Sequence, residues 1–232
     1  MIDDNLNTLL DGLEGRQSET TGAAQNSDAT ATGHNSETAL VVSCSMSHGE
    51  FEESLWPLDL SWNCVALTAL GNQVRNRARG ETVIDGSLEH LVAEGNVNAV
   101  IVVGHTACDV IGDAYERYVV PKTDLPKGIE MRFDPIVSVV EDAFDTGLID
   151  ASTPLRTAQY RLVEYNVVRQ VEFLTGVLPE AITIAGYVHD QDGAYSSFPG
   201  KHHLATVDGE TDSGKIQSRV PDNQSIPLTN RL

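Results

Sequence analysis

The chain has 232 residues, with 34 Asp+Glu against 15 Lys+Arg, a formal net charge of −19, 41% hydrophobic residues and three Cys. A surface this acidic repels phosphate backbones and anionic lipid, which argues against nucleic-acid and membrane-surface partners. No apolar run reaches the roughly 18 to 20 residues that cross a bilayer, three cysteines are too few for a disulfide scaffold, and the start MIDDNLNTLLDG is acidic where a secretory signal is basic. A cytoplasmic protein is expected.

In chain order, Ile2, Leu6, Leu9, Leu10 and Leu13 recur at helical spacing, with Asp3 and Asp4 in the first turn where a helix N-terminus favours them. Residues 15–36 are mainly Gly, Ser, Thr, Ala and Asn and cannot offset their ordering entropy by burial. Residues 1–36 therefore read as an N-terminal extension, a short amphipathic helix followed by a polar linker. Ala39 to Ser43 and Val97 to Val103 are apolar, β-branched runs of the kind buried in parallel sheets, and Asn63 to Leu67 supplies another strand. Asp85 opens a helix whose Leu88, Leu91 and Val92 share a face and whose Gly95 marks the end. Two longer helices, DPIVSVVEDAFDTG and STPLRTAQYRLVEYNVVRQVEFLTG, precede a strand around AITIAGYVHD. Strands separated by helices predict an α/β fold, a mainly parallel β-sheet with helices on both faces. The folded domain is assigned to 37–205 and residues 206–232 to a loose C-terminal tail.

Ligands of open α/β sheets bind beyond the carboxyl ends of the strands. Cys44 lies just after one predicted strand; His105 and Cys108 lie just after another. If those strands are neighbours, two thiols and an imidazole converge, a three-ligand zinc set with one position open. The same residues read separately are buried core thiols and a hydrogen-bonded loop histidine, and spacing alone leaves both readings standing. Cys64 sits inside a strand pattern and reads as core. His34, His90, His189, His202 and His203 fall in linkers, on a helix surface or in polar loops, and are assigned no metal. Neither a G-x-x-x-x-G-K-[ST] loop nor a G-x-G-x-x-G turn is present, so nucleotide binding has no support.

The stretch SLEHLVAEGNVNAVIVVGHTAC closely resembles the segment of β-class carbonic anhydrases in which a helix leads to a strand ending in G-H-[ST]-x-C. WNCVALTALGNQV is similar to that family's strand and R-N-A-G-N turn, with only Gly71 and Asn72 matching the turn. NVVRQVEFLTGVLPEAITIAGYVHDQDGAY resembles its late helix and G-W-x-Y-D strand, with Gly186, Tyr187, His189 and Asp190 in those places. The resemblance spans roughly residues 39 to 198 and implies a β-carbonic-anhydrase-like fold. It implies zinc held by Cys44, His105 and Cys108, and reversible hydration of carbon dioxide to bicarbonate by a zinc-bound hydroxide. It also implies a homodimer or an assembly of dimers.

Two departures stand out. The family's first ligand opens a C-x-D-x-R motif, but here Met46 replaces the Asp and His48 the Arg. After the last ligand the family prefers Gly, and this chain has Asp109. Losing only the Arg would strand a carboxylate, whereas losing both is self-consistent. Two thiolates cancel the formal charge of zinc, so outer-shell groups must supply the acidity the missing Asp would have helped to tune. Asp109 is one candidate, as a second-shell carboxylate or else as the cap of the next helix; His48 is another, as a proton carrier. The alternatives in function are a related zinc lyase or hydrolase on another small linear substrate, and a catalytically silent zinc-binding scaffold.

The acidic groups are spread along the whole chain and only four of the 15 basic residues are lysine. Self-repulsion from that charge is removed by salt, since the Debye length falls to about 3 Å at 1 M. A halophilic protein is expected: its melting temperature should climb steadily as KCl is raised from dilute buffer to molar concentration, and a flat response in a thermal scan would assign it to an ordinary acidic protein.

Overall fold

The computed structural model describes residues 37–47, 62–120, 126–196, 199–219 and 227–229. The expected N-terminal helix and linker, and His48, lie outside the described residues. Seven strands and five helices follow in order: β1 Thr38–Cys44, β2 Asn63–Ala69, β3 Arg75–Ala78, β4 Glu81–Ile84, α1 Gly86–Glu94, β5 Val97–His105, α2 Asp109–Val119, α3 Lys127–Asp145, α4 Leu155–Val177, β6 Thr183–Asp190, β7 Lys201–Val207 and α5 Ser213–Ser218.

The main sheet has the order β2-β1-β5-β6-β7. Its first four strands are parallel, and β7 closes the edge antiparallel to β6. The apolar runs of β1 and β5 are buried on both faces, as their near-continuous Val, Ile and Leu content requires. Ala39, Val41, Ala99, Ile101 and Val103 enter one core cluster, and Leu40, Val42, Val100 and Val102 another. The second face is covered by α1 and α4 through Leu88, Val171 and Leu174. On the first, the described helical contribution is Ile216 of α5, beside Trp62. Among the described residues, helices are thus shared unevenly between the faces.

Local signals account for the boundaries. The Asp85 carboxylate accepts from the Ser87 N–H at 2.9 Å and caps α1, and Gly95 ends it. Helix α3 starts at Lys127, seven residues before the expected Asp134. Pro135 lies inside the helix, where its missing N–H removes a bond without ending the segment. The β3–β4 hairpin was not anticipated, because RNRARGETVI is polar. Its two-residue turn, Arg79 and Gly80, has positive φ at both positions, the geometry that matches strand twist.

The tail is also corrected in its described part. Thr206 and Val207 complete β7, Asp212 caps α5, and Ile216 is only 2% exposed. Leu204 is bonded on either side to Pro227 O and from Thr229 N. A short polar helix carried by one buried isoleucine leaves no periodicity to read. The histidines of KHH do not form a polar loop either: His202 and His203 lie on β7 and His189 on β6, with His189 and His203 buried.

Packing of α4 on the sheet is closest at two glycines. A Cβ on Gly186 would meet Val167 Cγ1 at 2.6 Å and Thr206 Cγ2 at 2.8 Å, and one on Gly104 would meet Val167 Cγ2 at 2.7 Å. Gly186→Ala should cost about 1–3 kcal/mol by overpacking, read as a lower denaturant midpoint at unchanged slope in an equilibrium urea titration.

Candidate metal centre

Neighbouring parallel strands create the site. β1 and β5 run side by side with Ser43 opposite Val103, so Cys44 at the end of β1 and His105 at the end of β5 emerge at one sheet edge. The chain then turns through Thr106 and Ala107, whose φ of 56° is left-handed, and delivers Cys108 at the start of α2. An alanine held there is costly by roughly 1–2 kcal/mol, strain placed in the turn that aims both His105 and Cys108 at one point.

The two sulfurs lie 3.8 Å apart, and the three candidate ligand atoms all fall within 4.8 Å of one another. Tetrahedral thiolates about 2.3 Å from zinc would be separated by roughly 3.8 Å. The sulfur spacing therefore fits that ion, while it is far beyond a disulfide bond of about 2.05 Å. All three residues are buried. Among the described residues this is the one group of three or more His, Cys, Asp or Glu side chains close enough to hold a metal.

Protonation supports the donor set. A hydrogen bond from the Cys108 thiol draws Cys44 down to about 4, against the effect of burial, with His105 assisting. Cys108 is pushed up because it donates that bond and is buried; the N–H groups of Ile111 and Val110 pull the other way. The pair thus shares one proton, and a bound divalent cation would replace it, since coordination deprotonates thiols outright. Burial lowers His105, but its hydrogen bond and charge interaction with Cys44 outweigh that and leave it raised.

His105 is oriented from behind. Its Nδ1 lies 3.0 Å from Thr106 O and 3.2 Å from Gln191 Oε1. A carbonyl oxygen only accepts, so Nδ1 carries the proton and Nε2 keeps its lone pair for a ligand. Gln191 is fixed in turn by its N–H bond to Thr106 Oγ1 at 2.8 Å. Asp190 gathers the following loop by accepting from the N–H groups of Ala194, Tyr195 and Ser196. Gln191 was missed in the sequence, although its place one residue beyond β6, at the edge where β5 ends, is a signal of the same kind that identified His105.

The other anticipated residues are placed as follows. Asp109 is exposed in the first turn of α2, where negative charge suits the helix start, and it does not line the cavity beside the sulfurs. Met46 is 46% exposed, and that position serves Cys44 through its backbone N–H, 3.5 Å from Sγ. Ser47 Oγ donates to Cys44 O at 2.7 Å and Ser45 N–H to Ala69 O at 3.0 Å, so both serines brace the loop. Cys64 is half-buried on β2 against the core, outside the cluster. His189 is neutral: burial, followed by repulsion from His202, His105 and His203, brings it down to about 3.

A small cavity of about 10 Å³, the scale of one water molecule, opens on the ligands between Gly71, Asn72, Gly104, Ile111, Val163 and Asn166. Cys44→Ser and Cys108→Ser should each reduce bound zinc at least tenfold from one per chain, read by elemental analysis after metal-free dialysis, whereas Cys64→Ser should leave it unchanged.

Comparison with known proteins agrees with this geometry. Residues 63–183 match the family described as Carbonic anhydrase. No curated protein matches the sequence. Among solved structures, the β-carbonic anhydrase CafA of Aspergillus fumigatus aligns at a TM-score of 0.54 and 20% identity over 79% of this chain and 81% of that one. One from a study of two tetrameric β-carbonic anhydrases of Sordaria macrospora gives 0.51 and 18%, over 67% and 76%. The Coccomyxa β-carbonic anhydrase in complex with acetazolamide gives 0.50 and 20%, over 66% and 68%. These structures share the fold; the family match spans more than half the chain and carries the assignment. The chain belongs to the β-carbonic anhydrase family.

Proposed function

We propose that this protein catalyses the reversible hydration of carbon dioxide to bicarbonate, with zinc held by Cys44, His105 and Cys108. The observation that carries the reading is the buried Cys-His-Cys cluster at the ends of two adjacent parallel strands, with its sulfurs already at the spacing of a tetrahedral zinc site. Bound zinc supplies the Lewis acidity that makes a water nucleophilic near neutral pH. The chain's own residues do the remaining work. Cys44 and Cys108 provide anionic donors, and Thr106 O and Gln191 hold the His105 ring in one tautomer. Ile111 and Val163 wall the cavity with apolar surface, suited to a nonpolar linear substrate and to excluding bulk water.

In this reading His48, four residues after Cys44, carries the released proton towards solvent. Asp109 acts through the field at the start of α2 rather than as a ligand. The protein works as a cytoplasmic homodimer, or an assembly of dimers, in which the half-exposed edge strand β2 is available for subunit contact. No described helix is long and apolar enough to cross a membrane.

Stopped-flow measurement of proton release by the zinc-loaded protein tests the proposal, with carbon dioxide compared against carbonyl sulfide and carbon disulfide. Carbon dioxide hydration well above background is expected, falling about 10–100-fold in Gln191→Leu as the His105 orientation is lost. Faster turnover of a sulfur-containing substrate would indicate a related lyase or hydrolase. Stoichiometric zinc with background rates on all three would indicate a silent scaffold.

A further inference from the structure

Asn72 is the polar side chain of the cavity whose hydrogen bonding is incomplete. It is 2% exposed, lines the space beside Cys44, His105 and Cys108, and among the described residues its Nδ2 has no acceptor. Buried amide groups are nearly always paired, so an orphaned one beside a ligand cluster calls for a partner that binds there. Its backbone is left-handed, with φ of 49° directly after Gly71 at 59°, a conformation kept where surrounding structure enforces it.

The direction in which the amide faces is fixed by a network anchored on two backbone groups. Asn166 Nδ2 lies 3.0 Å from Gly71 O, which only accepts, so that atom is a donor; the same atom donates to Asn72 Oδ1 at 2.6 Å. At the other end, Val74 N–H donates to Gln170 Oε1 at 3.2 Å, which leaves Gln170 Nε2 to donate to Asn166 Oδ1 at 3.0 Å. Both anchors give the same orientation. The oxygen of Asn72 is therefore committed to Asn166, and its NH₂ is turned away from the network. A Cβ on Gly104 would stand 3.4 Å from that nitrogen, so the glycine leaves the space next to it open.

We propose that Asn72 is a ligand-binding residue of the centre, donating its amide hydrogen to an oxygen of a small oxyanion or of water seated in the cavity beside the three metal ligands. The inference rests on the zinc reading above. Its chemistry is distinct from that of a carboxylate at the missing motif position: a carboxylate accepts, whereas a neutral, immobilised N–H stabilises negative charge on oxygen and cannot take up a proton. Asn166 and Gln170 are positioning residues that keep the donor aimed. The class of ligand is a compact anion such as bicarbonate, of which the cavity, at about 10 Å³ the scale of one water, seats only the oxygen that meets the donor, with the rest of the anion towards the open side. One fixed donor beside a divalent cation suits an oxygen carrying negative charge.

Asn72→Asp and Asn72→Gly test the assignment, because Asp and Gly both tolerate the left-handed backbone. Asp keeps the bond from Asn166 while replacing the donor with an acceptor, and Gly removes the group. The parent and both variants would be loaded with cobalt and titrated with bicarbonate and with thiocyanate, reading metal content and the visible spectrum rather than turnover. Unchanged cobalt content with bicarbonate affinity about 10–100-fold weaker in both variants is expected, the range for losing one hydrogen bond to a charged group. Full metal loading with parental affinity in both variants would overturn the role of Asn72 and leave the zinc reading intact. So would a parent that binds cobalt without responding to either anion. A parent that takes up no metal would instead sink the zinc reading itself. If Asn72→Asp fails to fold, Asn72→Gly decides alone.

Discussion

The adjacency of β1 and β5 in parallel register is the constraint on which the centre depends. Parallel neighbours end at the same edge of a sheet, so one thiol from the first strand and an imidazole from the second meet without any long side chain or loop having to reach. A one-residue slip between them would reverse the faces of Leu40 and Val42 against Ala39 and Val41, which belong to different core clusters. The hydrophobic core that stabilises the sheet therefore also sets the ligand spacing. What local chemistry adds is confined to the turn from His105 to Cys108, where a left-handed alanine stores strain, and to the start of α2, whose N–H groups offset part of the rise that the bond to Cys44 and burial impose on Cys108.

Around this edge the polar groups are arranged in two layers with opposite tasks. Behind His105, Thr106 O and Gln191 Oε1 accept, which holds the ring in the tautomer that leaves Nε2 basic. Across the cavity, the amides of Asn166, Gln170 and Gln73 share their bonds inside a buried network supported by α4 and the turn after β2. Such networks are specific only when nearly every member is paired. The close approach of α4 to the sheet at Gly104 and Gly186 brings Asn166 within reach of Gly71 and Asn72. Packing glycines on the sheet and a polar stripe on an otherwise buried helix are thus two sides of one arrangement.

Much of this was legible in the sequence, for reasons that can be stated residue by residue. ALVVS and VNAVIVV are buried on both faces and so carry a continuous apolar signal, and Asp85 and Gly95 punctuate α1 by their own local bonding. The convergence of Cys44, His105 and Cys108 was readable because they sit at strand ends or a single turn beyond, where position follows from topology. The edge elements were not readable: β7 begins with the polar KHH, the β3–β4 hairpin has few apolar residues, and α5 is held by Ile216 alone. Glu164, Asn166 and Gln170 were hidden for a different reason. They are buried polar positions on a long helix, and in sequence they look like its solvent face.

The replacement of the Asp and Arg positions by Met46 and His48 can be understood from how the loop after β1 is built. Its described contacts with Cys44 run through Met46 N–H to the sulfur and through Ser47 N–H and Oγ to the Cys44 carbonyl. Apart from the serine hydroxyl these are backbone interactions, and none uses the side chain at position 46, which is nearly half exposed. Support of the first ligand is therefore independent of which residue stands there, and a carboxylate can be lost at that position without loosening Cys44. A remaining Arg would then be a cation without its partner, close to three side chains suited to holding a divalent ion, so the physical pressure is to lose the two together. The polar requirement does not vanish with them. A buried, mostly apolar cavity beside the three candidate ligands would still need a hydrogen-bonding group to orient what enters it, and the immobilised amide of Asn72 is the described side chain with a donor left to meet that need.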